Sequence, residues 1–221
     1  MIRVKICSVQ EAEHIVAAAE AGADYVGLNF VPRARRRLPE EKAKGMVAEY
    51  WKKHKRGDPR LVGIFADQPA EEVNRILEEC ELDMAQLSGR ESVEYIRQVK
   101  RPVIKAVHVP LGQPLEQVIE SLEKTLRELE TAGATALLDP DAGEAKGGTG
   151  ASFDWGIARE LAKRHLFLLA GGLTPENVAQ AVREVQPWGV DVSSGVESKG
   201  VKDVRKIRAF VREAKGARAG A

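Results

Sequence analysis

Residues 61–87 read LVGIFADQPAEEVNRILEECELDMAQL and contain one strand–helix–strand unit. The two ends, residues 61–66 and 84–87, are short apolar runs, as expected of strands that are covered on both faces. Between them, Pro69 followed by two glutamates after Ala70 is a start signal for a helix. Two strands joined by a helix form the repeating unit of a parallel sheet, so this stretch predicts an α/β fold.

The same unit recurs along the whole chain. Strands are predicted at residues 2–7, 25–30, 61–66, 84–87, 103–106, 134–139, 166–170 and 189–192. Helix start signals also occur at Pro39 and Pro175, and the longest predicted helix, 113–132, carries a single apolar stripe. Such units form an open sheet or a closed barrel, and a count of eight favours closure. The predicted fold is a single (β/α)8 barrel domain over residues 1–221, with a frayed end at 215–221.

The composition argues against several classes of partner. Lys and Arg number 34 against 33 for Asp and Glu, a net charge of +1, which argues against a nucleic-acid or anionic-membrane binder. The start, MIRVKICSVQ, lacks the apolar run of a signal peptide, and no run of about 18 apolar residues occurs, so a cytoplasmic protein is expected. The spacing of the two cysteines and four histidines predicts neither a disulfide nor a metal site.

Three glycine-containing segments follow the last three predicted strands. They are Gly147-Gly148-Thr149-Gly150, Gly171-Gly172 and Ser193-Ser194-Gly195. In a barrel these loops converge at the carboxyl ends of the strands, where glycine lets backbone N–H groups approach an anion. They predict a phosphate site, with hydroxyl donors from Thr149, Ser193 and Ser194. The alternative is that the glycines only permit tight turns.

Two ionisable side chains end apolar strands and are candidates for acid–base chemistry. Asp139 ends the run Ala136-Leu137-Leu138, where an unpaired charge is costly, so a raised pKa or a position at the barrel mouth is expected. Alternatively it caps a loop or pairs with Lys105, and Asp141 is a rival acid. Cys7 ends the first strand, where a following helix start or a neighbouring lysine would favour the thiolate; the alternative is an inert core thiol.

One basic cluster, Arg33-Ala34-Arg35-Arg36-Arg37, follows the second predicted strand. It therefore lies on the face of a barrel where ligands bind. An arginine there could hold a substrate carboxylate with two parallel hydrogen bonds. The residues alone do not choose among the arginines, and at least some of them are expected to be solvated.

Several segments in this order and at this spacing resemble phosphoribosylanthranilate isomerase along the whole chain. The matching segments are KIC (5–7), the arginine-rich loop after Pro32, QLSG (86–89), LD (138–139), GGTG (147–150), FDW (153–155), GGLTPENV (171–178) and VDVSSGVE (190–197).

The resemblance implies an isomerase of tryptophan biosynthesis that converts N-(5-phosphoribosyl)anthranilate to 1-(2-carboxyphenylamino)-1-deoxyribulose 5-phosphate by an Amadori rearrangement, without cofactor or metal. By position in the motifs, Cys7 would be the general base, Asp139 the general acid and Arg36 the contact for the anthranilate carboxylate. Gly148, Thr149, Gly150, Gly171, Gly172, Ser193, Ser194 and Gly195 would bind the phosphate. The expected partner is this small phosphosugar, and the chain is expected to be a monomer or a homodimer.

Two positions depart from the family pattern. Ser8 stands where the family usually has glycine, and Ser88 replaces a frequent histidine. Both departures leave room for a shifted activity. The alternatives are a related phosphosugar isomerase, for instance of the histidine pathway, in which a carboxylate would replace the thiol base, and a noncatalytic phosphate-ligand binder.

Overall fold

The computed structural model describes residues 1–110, 114–140 and 155–217. Eight parallel strands form a closed barrel in the chain order β1 to β8. Their bounds are β1 Arg3–Ile6, β2 Tyr25–Asn29, β3 Arg60–Phe65, β4 Met84–Leu87, β5 Val103–Val109, β6 Thr135–Pro140, β7 Phe167–Leu169 and β8 Gly189–Val192. β8 pairs with β1, which closes the barrel. The predicted (β/α)8 fold is confirmed.

Helices cover the outside of the barrel. Their bounds are α1 Ala12–Ala21, α2 Glu40–Trp51, α3 Ala70–Glu79, α4 Val93–Ile96, α5 Leu115–Thr131, α6 Trp155–Ala162, α7 Val178–Val185 and α8 Val204–Gly216. Pro39 and Pro69 stand at the N-caps of α2 and α3, as their start signals predicted. Within the described ranges, no helix is long and apolar enough to cross a membrane.

Two features between β7 and α8 differ from the sequence prediction. The residues after Thr174 form a turn, in which Thr174 N–H donates to Asn177 Oδ1 at 2.8 Å, so α7 begins only at Val178. A two-stranded antiparallel hairpin, β9 Glu197–Ser198 and β10 Val201–Lys202, follows β8 and was not predicted. Strands of two residues carry too short a pattern for period-two alternation to show.

The end of α8 also corrects a prediction. The helix continues to Gly216, and Lys215 Nζ donates to Asp24 Oδ2 at 3.0 Å. Lys215 therefore belongs to an anchored helix and not to a frayed end, because its ammonium is held by a carboxylate beside β2. Residues 218–221 lie outside the described part of the chain.

Side chains alternate along each strand between an outer layer under the helices and the barrel interior. The buried apolar residues that pack together inside the barrel are Tyr25, Val62, Met84, Ile104, Ala106, Leu137, Leu168 and Ala170. Burying a large apolar side chain of this kind stabilises a fold by about 1.5–3 kcal/mol. Lys5 on β1 and Asp191 on β8 are also buried in the interior, but both are charged, and they are partners in the β1–β8 register. Their pairing was not predicted from the sequence.

Candidate functional site

The candidate residues of β1, β6 and β8 lie at the carboxyl ends of these strands. Cys7 directly follows β1, and its N–H donates to Val192 O of β8 at 2.8 Å. Cys7 lies two residues beyond Lys5 and Asp139 two residues beyond Leu137, so both share the inward face of their strands. The ammonium of Lys5 interacts with both Cys7 and Asp139. The structure therefore brings the two predicted acid–base residues to one place.

The thiol of Cys7 is nearly buried, with 8% of the residue exposed. Its Sγ lies 3.5 Å from Ser8 Oγ. Two ammonium groups, those of Lys5 and Lys202, interact electrostatically with it. Positive charge next to a thiol favours the thiolate, which is the form that can accept a proton.

Ser8 occupies a backbone conformation that glycine usually takes. Its φ is 56°, in the left-handed region that residues with a Cβ seldom adopt. The serine thus holds a left-handed backbone that a glycine would adopt without strain. Its hydroxyl is buried and contacts the neighbouring sulfur.

Asp139 is partly buried, and its environment favours the protonated form. Burial raises the pKa of this carboxyl, the nearby Asp191 carboxylate raises it further, and Lys5 partly opposes them. The result is a pKa of about 6. A carboxyl with a raised pKa keeps its proton to higher pH than an ordinary aspartate and is suited to donate it to a leaving oxygen.

The alternative pairing of Asp139 with Lys105 does not occur. Lys105 Nζ donates to Gly89 O at 2.7 Å and lies 3.0 Å from a Glu91 carboxylate oxygen. The β5–β6 register places His108, not Lys105, opposite Asp139. Lys105 belongs to the other face of β5, because it is an odd number of residues from His108. The rival acid Asp141 lies outside the described residues.

A buried ion pair lies beneath the two candidates. Lys5 Nζ donates to Asp191 Oδ1 at 2.7 Å, and the lysine side chain has no solvent exposure. Burial alone would lower the pKa of Lys5, but the Asp191 carboxylate and Cys7 outweigh it, so that the pKa is raised. The lysine is therefore an ammonium at neutral pH.

Arg36 is the anchored member of the arginine cluster. Its Nε and Nη2 donate to the two carboxylate oxygens of Glu197 at 2.5 and 3.1 Å, and its side chain is 12% exposed. Arg35 reaches the same carboxylate but is 59% exposed. Lys202 Nζ lies 3.1 Å from Glu197 as well. Burial alone would raise the pKa of Glu197, but these three cations lower it to about 2.

The loop after β7 holds two glycines in the left-handed region. Gly171 has φ 87° and Gly172 has φ 65°. Asn177 fixes the loop from both sides, because its Nδ2 donates to Gly172 O at 2.9 Å and its Oδ1 accepts from Thr174 N–H. The turn itself therefore requires both glycines. This agrees with the alternative given from the sequence, that glycines in these loops permit tight turns.

The loop after β8 packs against the loop after β7. A Cβ on Gly195 would lie 1.9 Å from Leu173 O and 2.9 Å from Leu173 C, both backbone atoms. Lys202 Nζ donates to Ser193 O at 2.8 Å. The predicted loops after β7 and β8 are thus adjacent. The remaining candidates, Gly148, Thr149 and Gly150, lie outside the described residues.

Four further charged residues shape the site and were not assigned roles from sequence: Lys5, Asp191, Glu197 and Lys202. The sequence could have indicated the pairing of Lys5 and Asp191, since each is a charged residue in an otherwise apolar strand. Such a charge is retained in an interior only with a partner of opposite sign. For Glu197 and Lys202 no comparable signal exists, because charges are common in loops.

The fold and site together define a class: (β/α)8-barrel enzymes with ionisable side chains and glycine loops at the carboxyl ends of the strands. Residues 4–213 match the family described as N-(5'phosphoribosyl)anthranilate (PRA) isomerase. The N-(5'-phosphoribosyl)anthranilate isomerase of Dehalococcoides mccartyi is 43% identical over 217 residues, covering 98% of this chain and 97% of that one.

Solved structures agree with the sequence match. Phosphoribosyl anthranilate isomerase from Thermotoga maritima has a TM-score of 0.82 at 34% identity, covering 98% of this chain and 100% of that one. A phosphoribosyl anthranilate isomerase in complex with reduced 1-(o-carboxyphenylamino)-1-deoxyribulose 5-phosphate has a TM-score of 0.79 at 33% identity, with the same coverage. The chain belongs to the N-(5'-phosphoribosyl)anthranilate isomerase family and is an isomerase of tryptophan biosynthesis.

Proposed function

We propose that this isomerase carries out its Amadori rearrangement with Cys7 as general base and Asp139 as general acid. The observation that supports these roles is the shared environment of the two groups. The pKa of Asp139 is raised to about 6, and Cys7 faces the ammonium groups of Lys5 and Lys202. A proton donor and a proton acceptor thus face the same barrel mouth.

The reaction needs both groups in sequence. Asp139 donates its proton to the furanose ring oxygen as the bond between C1 and that oxygen breaks, which leaves an iminium between C1 and the anthranilate nitrogen. The iminium makes the C2 proton acidic, so the Cys7 thiolate removes it and the C2–H electrons form a C1–C2 double bond. The resulting enolamine gains a proton at C1 and loses the C2 hydroxyl proton, which gives the ketone.

Arg36 is proposed to hold the anthranilate carboxylate. Glu197 engages the Nε and Nη2 side of the guanidinium. Within the described part of the chain, Arg36 Nη1 has no hydrogen-bond partner, so the Nη1–Nη2 end remains available for a bidentate contact with a carboxylate. Glu197 would in this way orient the arginine fork before substrate binds.

Arg36→Ala is expected to raise KM by at least about tenfold with little loss of kcat, because a hydrogen bond to a charged group contributes about 1.5–3 kcal/mol. Steady-state kinetics of this variant beside Arg35→Ala and Arg37→Ala measure the effect. An unchanged KM for Arg36→Ala, with a raised KM for one of its neighbours, would move the contact to that neighbour.

The substrate phosphate is proposed to bind at the adjacent loops after β7 and β8. Gly171, Gly172 and Gly195 leave their backbone N–H groups unshielded by a Cβ, and Ser193 and Ser194 are partly exposed hydroxyl donors in the same place. Binding at a group far from the reacting carbons orients the sugar between acid and base.

Gly195→Ala is expected to raise KM and the inhibition constant of inorganic phosphate by at least about tenfold. The added methyl would overlap the Leu173 backbone, so the two loops must separate. Gly216→Ala is the matched control, because nothing lies within 4 Å of its added Cβ. Equal phosphate inhibition in Gly195→Ala and Gly216→Ala would place the phosphate elsewhere.

A fluorescence assay that follows loss of phosphoribosylanthranilate tests the function directly. Turnover by the wild-type chain is expected, with Cys7→Ser as the sample lacking the base. Turnover only of the histidine-pathway aminoaldose would favour the related phosphosugar isomerase. Binding of product analogues without turnover of either compound would favour the noncatalytic binder.

A further inference from the structure

The proposed roles of Cys7 and Asp139 create a protonation problem. The base must be a thiolate while the acid is still protonated. Ordinary values, about 8.5 for a cysteine thiol and about 3.9 for an aspartate, give the opposite combination at neutral pH, a thiol beside a carboxylate. The site must therefore stabilise the two uncommon forms together, and this inference rests on the roles proposed above.

The ion pair of Lys5 and Asp191 is placed to do so. Lys5 precedes Cys7 by two residues on the inward face of β1, and Asp191 is its register partner on β8. Elsewhere in the barrel interior, apolar side chains such as Ile104 and Leu168 are fully buried. A buried ion pair is often no more stabilising than apolar residues of similar size. Packing alone therefore gives no reason for a charged pair at this position.

The two ends of the pair act on different groups. The ammonium of Lys5, whose residue precedes Cys7 by two on the same face of β1, interacts electrostatically with Cys7 and attracts a negative charge there. The carboxylate of Asp191 repels a negative charge on Asp139, and there it outweighs the opposite influence of Lys5. After burial, Asp191 is the largest cause of the raised pKa of Asp139. The positive end thus favours the thiolate and the negative end favours the protonated acid.

We propose that Lys5 and Asp191 are positioning residues: their buried ion pair lies directly beneath Cys7 and Asp139 and sets the charge that the base and the acid each face. Neither residue needs to touch the substrate for this role. The pair acts as a fixed dipole oriented across the site, already in place before the substrate arrives.

Other charged or titratable groups also lie near Cys7 and Asp139, and the contribution of the Lys5–Asp191 pair must be distinguished from theirs. Lys202 of β10 also interacts with Cys7, but its ammonium is hydrogen-bonded to Glu197 and to Ser193 O. Its pKa is lowered by burial. Among the described residues, Asp191 and Lys5 are the charged groups that act on Asp139, and the titratable His108 of β5 is its register partner. The ion pair is therefore the element that reaches both the base and the acid.

The test replaces the pair in one step, with Lys5→Met and Asp191→Asn combined, because a single replacement leaves an unpaired buried charge. The matched control is Lys105→Met with Glu91→Gln, which removes another nearly buried ion pair, one whose lysine lies on the outer face of β5. Both double variants lose a buried ion pair, but of the two pairs only Lys5–Asp191 lies beside Cys7.

Two readouts do not depend on turnover. Alkylation of Cys7 by iodoacetamide at pH 7 is expected to slow at least tenfold in the Lys5–Asp191 variant and to stay near wild type in the control. Cys80 contributes little, because burial raises its pKa to about 11, and a Cys7→Ser sample gives the blank. The carboxyl carbon of Asp139, followed by NMR, is expected to titrate at lower pH than in the wild type.

The outcomes separate this inference from the proposed roles. Unchanged alkylation and an unchanged Asp139 titration would overturn the ion-pair inference, even if Cys7→Ser and Asp139→Asn are inactive. Retained turnover in Cys7→Ser would instead overturn the base itself. If this double variant does not fold, Lys5→Gln combined with Asp191→Asn serves, because two amides can keep a hydrogen bond where the ion pair was. An Asp139 titration identical to wild type in that variant would equally overturn the inference.

Discussion

Cys7→Ser is expected to lower kcat by at least about a hundredfold, the usual minimum for loss of a general base. A serine hydroxyl stays protonated at neutral pH, so the ammonium groups of Lys5 and Lys202 would face a neutral oxygen that cannot take the C2 proton. The fold is expected to survive, since oxygen replaces sulfur in a side chain that is already 8% exposed.

The measurement is steady-state kinetics beside a circular dichroism melt. Cys80→Ser is the matched control, because the only other cysteine lies at the end of α3, and its Sγ contacts the Glu40 backbone oxygen at 3.9 Å. That change is expected to leave kcat near wild type. Near-normal turnover in Cys7→Ser would show that the thiol is not the base and would favour the alternative, an inert core cysteine.

Asp139→Asn is expected to lower kcat by a similar factor, at least about a hundredfold, because an amide cannot protonate the departing ring oxygen. The acid works only when protonated, and its pKa is about 6. The wild-type kcat/KM should therefore fall as pH rises through this ionisation, and that part of the profile should be missing in the variant. A variant with the same pH dependence as wild type would assign the acid to another group.

The same carboxyl should affect stability in the opposite sense. Its folded pKa is raised, so the stability that it contributes is present below about pH 4 and is lost as pH rises through about 6. At pH 7 the variant Asp139→Asn should therefore melt at the same temperature as the wild type or higher. Asp67→Asn is the control for an aspartate just after β3, since Asn keeps an oxygen to accept from Arg90 N–H.

Much of the fold could be predicted because its signals are local. The unit at residues 61–87 reappears as β3, α3 and β4, with β4 at the predicted bounds. Other element boundaries differ from the prediction where a side chain makes a tertiary or loop contact. Asn177 accepts a hydrogen bond in the turn before α7, so this helix begins later than predicted, and the contact with Asp24 keeps Lys215 within α8. Signals carried by a few consecutive residues cannot anticipate such contacts.

The site was predicted in part. The strand-end positions of Cys7 and Asp139 follow from the barrel, because parallel strands place their carboxyl ends together. The choice of Arg36 among the arginines rested on family resemblance, and the structure adds its two hydrogen bonds to Glu197. Lys105 was a reasonable partner for Asp139 from sequence, but alternation along β5 puts it on the other face.

The amino-acid sequence by itself determined the eight-stranded repeat and which residues end the strands, since period, start signals and apolar runs are properties of neighbouring residues. Only the tertiary structure decided which charges meet. Lys5 and Asp191 are 186 residues apart, and Arg36 and Glu197 are 161 apart. Barrel closure brings β1 beside β8, and the interior excludes water there, so these distant side chains neutralise each other and set the charge around the thiol and the acid.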